Sequence, residues 1–235
     1  MQKVIFVTHE EQCFKYSTGR FIEVPALKCT PEEADGCLLF HASQAAEVGY
    51  EAMMISSSGT DVLVLSIAFC SSIKAPLFQK SGTSSRTQMI GIGNIFSSLW
   101  PSICSSLLGL HAFKGCDSVS SFSGKEKITA LTILKSNKNF QEAFSSLHQN
   151  WTLPDELFGR LEVYMQTLSK QKTNVKINEL RYQLFCAKNC DIESHLLPPC
   201  HDCLLKHGKR ANYQAGLWRC YLENKPNVPD PVENG

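Results

Sequence analysis

Four carboxylates in the first half of the chain, Glu33, Asp35, Asp61 and Asp117, stand where a parallel α/β fold would make them converge. Glu33 and Asp35 open a helical pattern, Asp61 follows a short apolar run, and Asp117 lies in a loop after a second helical pattern. Hard divalent cations take oxygen ligands of this kind. Mg²⁺ or Mn²⁺ held by a few carboxylates and a substrate phosphate can stabilise both the attacking and the leaving oxygen in phosphodiester cleavage. Each residue also has an ordinary role. Acids in a first turn complement the helix dipole, and Asp117 suits a turn.

A second group, Cys190, His195, Cys200, His201, Cys203 and His207, lies near the other end. Cys200 and Cys203 have the spacing of zinc ligands, with Cys190 or His207 able to complete a tetrahedron. No second matching pair exists, and after Pro198-Pro199 a helix would place the two thiols on one face as ordinary half-buried cysteines. His207, Lys209, Arg210 and Tyr213 fall on that same helix, either touching nucleic acid or forming a solvated face. His111, six residues before Asp117, reads as a core or capping histidine rather than a general base. Cys116 lacks an identifiable His or Asn partner, and Gly91-Ile92-Gly93 lacks the third glycine of a dinucleotide fingerprint.

The elements that must position these residues follow from pattern. Residues 2–8 read as a strand with a partner at 13–16. Thr30-Pro31-Glu32-Glu33 is a helix start with a cap, a first-turn proline and a capping-box acid, and the helix runs to Val48 before Gly49. Residues 52–55 read as a strand buried on both faces, as in parallel sheets. The apolar run 62–69 fits either a strand or a helix. Asp61 sits just past the end of the first of these, where ligands bind in open α/β sheets. A hairpin is possible at 71–87, with a strand at 89–92. Helices follow from 94, broken at Pro101, and at 125–135, 141–147, 154–169, 175–187 and 199–222.

Composition sets the outer limits. The chain has 235 residues, 43% hydrophobic and 19% charged, with a formal net charge of +1; it can bury a full-sized core. Residues 169–225 carry ten Lys and Arg against five Asp and Glu, a basic tilt that suits phosphate contacts or a solvated helical face. Eleven cysteines follow no disulfide framework, and the first residues lack a secretory pattern. Reduced thiols in an intracellular compartment, nucleus or cytoplasm, are the expectation. No apolar run is long enough to span a bilayer, so no membrane partner is expected.

The phrases Glu33-Ala34-Asp35, Thr60-Asp61-Val62-Leu63 and Gly115-Cys116-Asp117 followed by Gly124-Lys125-Glu126-Lys127 resemble, in order and spacing, the acidic motifs of PIN-like nucleases of the flap-endonuclease type. EEADGCLLFHA, TDVLVL, GLHAFKGCDSVSSFSGKEK and LLKHGKRANYQAGLW look like an uncharacterised eukaryotic, mobile-element-associated family carrying such a domain. The resemblance implies metal-dependent action on DNA or RNA, with Glu33, Asp35, Asp61 and Asp117 as ligands of Mg²⁺ or Mn²⁺. Asp61 and Asp117 would be the principal catalytic acids. It also implies a phosphate-binding hairpin in which Lys125 and Lys127 hold the nucleic-acid backbone.

The chain departs from that pattern at three points. Gly59 replaces one acid, Glu126 replaces the second glycine of the hairpin, and residues 2–8 carry no acid, as though the domain began late. The expected fold is therefore an N-terminally shortened, largely parallel PIN-like α/β domain over residues 1–135. A helical region over 136–223 and a tail over 224–235 complete it. The expected function is that of a nuclease-like domain with impaired catalysis, or of a non-catalytic binding or scaffold protein that keeps the fold.

Overall fold

The computed structural model describes residues 4–17, 19–29, 34–83, 85–169, 175–189, 191–222 and 227–234. The chain divides into two compact units, Met1–Ser98 with Leu217–Val228, and Leu99–Gly216 with Pro229–Gly235.

The first unit holds two small sheets. Strands β1 (Ile5–His9), β2 (Gln12–Ser17) and β3 (Arg20–Glu23) form an antiparallel meander. His9 pairs with Gln12 across a turn in which Glu10 has φ 53°, a left-handed conformation uncommon for a residue with a side chain. Gly19, at φ 75°, serves the next turn, where glycine has no such cost. Every residue of β1 and β3 is exposed, and Cys13 is the buried point of β2. Its carbonyl accepts from the Val24 amide at 2.8 Å, just before a 3₁₀ turn over Pro25–Leu27.

Helix α1 (Ala34–Val48) buries Leu39, Phe40, Ala42 and Ser43. It ends where expected. Gly49 adopts φ 101° while its amide reaches the Ala46 carbonyl and that of Tyr50 reaches Ala45, which satisfies carbonyls left over at the helix end. The expected start at Thr30 to Glu33 lies outside the described residues.

The second sheet comprises β4 (Met53–Ser56), β5 (Leu77–Thr83) and β6 (Arg86–Gly91), in that order. β4 and β5 are parallel, with Met53 opposite Leu77, whereas β5 and β6 form an antiparallel hairpin. Helix α2 (Thr60–Ala68) joins β4 to β5, and α3 (Ile92–Ser98) follows β6.

The largely parallel PIN-like sheet expected over residues 1–135 does not form. Two three-stranded sheets take its place, one antiparallel and one mixed. Three local facts account for this. The 62–69 run becomes a helix, leaving a single parallel pairing. The β1–β2 and β2–β3 links are too short for the crossover that parallel strands need, so these strands can only form hairpins. β4, finally, is buried on one face alone: Met53 and Ile55 are inside, and Met54 is 59% exposed. An edge strand of that kind does not require helices on both sides.

The second unit is helical. It contains α4 (Pro101–Lys114), α5 (Lys127–Ser136), α6 (Lys138–Ser146), α7 (Asp155–Leu168), α8 (Ile177–Ala187), most of α9 (His201–Arg219) and α10 (Pro231–Asn234). Pro101 stands at the start of α4, where its fixed φ favours the helix and its missing amide costs nothing. α4 and α6 pack backbone to backbone at Gly109, where a Cβ would sit 2.2 Å from the Phe144 carbonyl oxygen. Around that crossing lie Phe113, Phe140, Phe144 and Tyr164, with Phe144 and Tyr164 meeting edge to face at 4.7 Å. The Tyr164 hydroxyl donates to the Ala130 carbonyl at 3.0 Å, so its polar end is satisfied inside the core. Burial raises its pKa well above the ordinary phenol value.

Asn212, 1% exposed, ties α9 to the α6–α7 connection. Its Oδ1 accepts from the His148 amide at 2.7 Å, and its Nδ2 donates to the carbonyls of Asn150 and Trp151 at 2.8 Å each. One side chain thereby satisfies three backbone groups of a connecting segment. No described helix is long and apolar enough to cross a membrane.

Candidate functional site

Asp35 and Asp61 occupy the first turns of α1 and α2 and are half-buried, both in the first unit. The backbone before Asp61 is held by Gln79 of β5, whose Nε2 donates to the carbonyls of Ser57 at 2.9 Å and Gly59 at 3.3 Å. Gly59 is the N-cap of α2, and its amide is taken by Ser57 Oγ at 3.1 Å. Asp117 is exposed, in the loop after α4, and belongs to the second unit. Glu33 lies outside the described residues. Among the described residues no group of three or more His, Cys, Asp or Glu side chains is placed to hold a metal ion.

Cys200 immediately precedes α9, and its carbonyl accepts the first helical hydrogen bond, from the Leu204 amide at 2.9 Å. Cys203 lies one turn on and is exposed. Hydrogen bonds from the Cys203 amide and thiol draw the Cys200 thiol below its ordinary pKa; desolvation opposes them, as does the nearby Asp202 charge, while the Asp202 amide assists. The Cys203 thiol moves up, chiefly through that shared hydrogen bond. Cys190, the other candidate zinc ligand, lies outside the described residues. His207 is committed elsewhere.

The lysines expected to hold a phosphate lead to a more developed site. Lys125 lines a cleft of about 520 Å³ in the second unit, and Lys127 begins α5 close by and is exposed. One wall of the cleft is the serine-rich loop at residues 120–123. The loop is shaped at its entrance by Gly115: it has φ 106°, and a Cβ there would lie 2.7 Å from Ser121 Cα. Both the conformation and the close approach require glycine. Farther along, the Cys116 amide reaches the Val119 carbonyl at 3.0 Å, Val119 is buried, and Ser118 Oγ donates to Gln214 Oε1 on α9.

Beneath the loop is a buried basic pair. Lys114, 2% exposed, donates through Nζ to the Lys125 carbonyl at 2.7 Å and lies 5.5 Å from the centre of the Phe122 ring. Burial, followed by the charges of Lys125 and Lys127, lowers its pKa to about 8. His207 Nε2 donates to the Phe113 carbonyl at 2.7 Å, leaving Nδ1 to accept from Ser120 Oγ at 3.5 Å. Burial lowers the His207 pKa against that hydrogen bond, with Arg210 and Lys114 adding to the depression. The ring is therefore neutral at neutral pH and serves as a strut, with Phe122 packed on it at 4.3 Å.

The remaining walls bring Arg181 from α8, His195 from a 3₁₀ turn, and Lys206 and Arg210 from α9. Arg181 is aimed by a hydrogen bond to the Pro198 carbonyl. His195 is paired with Glu193 at 3.1 Å. Among the described residues no carboxylate lines the cleft. Four cationic side chains from three segments thus surround a space walled by serine hydroxyls, an arrangement that attracts oxyanions and can form charge-assisted hydrogen bonds to them.

Sequence reasoning reached Lys125 through the hairpin and placed Arg210 on the α9 face. It did not single out Arg181 or Lys206. The available signal was the basic excess over residues 169–225, which gives charge but not convergence. Comparisons with protein-family models, curated proteins and solved structures found no match.

Proposed function

We propose that this protein is a nucleic-acid-binding protein that holds a sugar-phosphate backbone in the cleft of its helical unit, without requiring catalysis. The observation that carries this reading is the convergence of Lys125, Arg181, Lys206 and Arg210 on one serine-walled cleft that, among the described residues, no carboxylate lines. Arg supplies planar, bidentate donors for phosphate oxygens, and Lys supplies point charges. The hydroxyls of Ser121 and Ser123 add donors suited to the same groups. Phe122, half-buried and packed on His207 and Phe113, gives the cleft a firm apolar wall beside these donors.

The test is fluorescence anisotropy of a labelled single-stranded oligonucleotide, DNA and RNA in parallel, across a range of salt. Wild-type protein binds with an affinity that falls linearly in log–log form. The Lys206→Ala, Arg210→Ala double variant has a slope shallower by about 1.4, since each phosphate contact on a single strand contributes about 0.7. Equal affinity and slope for variant and wild type would sink the proposal.

A further inference from the structure

A second chemistry is built into the rim of the same cleft and does not depend on what the cleft binds. Cys200 sits at the start of the 19-residue helix α9 and Cys203 one turn along it; both line the cleft. A residue at the helix cap has non-helical backbone and can turn its side chain back over the first turn. Residues three apart there are neighbours. Cys200 and Cys203 are brought side by side in this way on the wall of the cleft. Arg181, Lys206 and Arg210 line the same space, and a thiolate is favoured at a helix N-terminus beside cations. Cys203 is exposed and Cys200 half-buried, so small reagents have access.

We propose that Cys200 and Cys203 form a reversible dithiol–disulfide couple, with Cys200 as the attacking thiol and Cys203 as the resolving one. The reaction partner is an anionic low-molecular-weight disulfide of the glutathione type, whose carboxylates match the cationic lining. The Cys200 thiolate, its proton lost to solvent, attacks one sulfur of the small disulfide. A mixed disulfide forms and one thiolate leaves. Cys203, losing its own proton, then attacks the Cys200 sulfur; the Cys200–Cys203 bond forms and the second thiolate leaves. Two electrons pass from the protein to the small disulfide, and the two released thiolates take up the two protons.

The experiment exposes the folded, reduced full chain to glutathione disulfide, blocks remaining thiols with an alkylating agent and maps every cysteine by peptide mass spectrometry. Wild type acquires a Cys200–Cys203 disulfide. The Cys203→Ser variant instead accumulates glutathione on Cys200, and the Cys200→Ser variant leaves Cys203 unmodified over the same time. In the untreated protein at neutral pH, Cys200 is alkylated several-fold faster than the exposed Cys186. The proposal is overturned if Cys200 reacts no faster than Cys186. It is overturned equally if glutathione appears on other cysteines while 200 and 203 stay reduced, or if purified protein carries stoichiometric zinc that Cys200→Ser releases.

Discussion

The β1–β3 meander and the helical unit satisfy their backbone and bury their side chains in opposite ways. In the meander of β1, β2 and β3 the strands pair with one another and little else: Ile5, Phe21 and Ile22 are each more than half exposed, and Cys13 alone is fully inside. In the helical unit, side chains from distant positions satisfy buried backbone groups. Tyr164 reaches Ala130, Asn212 reaches three groups between residues 148 and 151, and Lys114 reaches Lys125. Local pairing can form a sheet without specifying what lies against it. Long-range polar ties hold the helices in register, and the cleft, with walls from five segments, occurs there.

Four substitutions break or sharpen that contrast. The largest effect is expected at Gly109, where an added Cβ meets the Phe144 carbonyl oxygen and α4 and α6 must separate. Gly109→Ala should destabilise the protein by about 3 kcal/mol, the upper end for overpacking, as measured by denaturant unfolding. Asn212→Ala follows at about 2 kcal/mol, because it strands buried backbone groups. It should also speed hydrogen exchange at the His148 amide.

Lys114 gives a pH-dependent effect of intermediate size. Its folded pKa of about 8 lies below its ordinary value of 10.5, so between these values the unfolded chain binds more protons and stability rises with pH. Below pH 8 the full penalty of holding that charge inside is present. Above pH 10 the buried tyrosines, with raised pKa values, act in the opposite sense. Lys114→Met should flatten the rise in melting temperature between pH 8 and 10; a variant that keeps the wild-type slope would place the titrating group elsewhere. The smallest effect is expected at Phe21, 68% exposed on β3. Phe21→Ser should change stability by less than about 0.5 kcal/mol, and a larger loss in unfolding experiments would show that the meander does hold a partner surface.

Much of the fold was legible because helix punctuation is local. Gly49 ends α1, Pro101 opens α4, and the patterns at 154–169 and 175–187 became α7 and α8 nearly as expected. The 62–69 run was ambiguous for a physical reason: a short, continuously apolar segment has no period to separate helix from strand. Taking 52–55 as buried on both faces then extended one parallel pairing into a whole parallel sheet. β3 is four residues long with every side chain exposed, so its sequence carries no alternation to read. The cleft was legible only in part. The charge of its residues is visible in the sequence, but the meeting of Lys125 with Arg181, Lys206 and Arg210 depends on contacts that no local pattern records.

The hydrogen bond from Lys114 to the Lys125 carbonyl has one further consequence. It closes residues 115–124 into a ring fastened at both ends, so the loop can vary in length at its tip without disturbing α4 or α5. Closing a longer ring costs little, about 0.6 kcal/mol for each doubling. Insertions at the exposed Ser123 and Gly124 would therefore be tolerated as changes in the height of one wall. The fold thus keeps a place where the shape of the cleft can be altered while the framework around it stays the same.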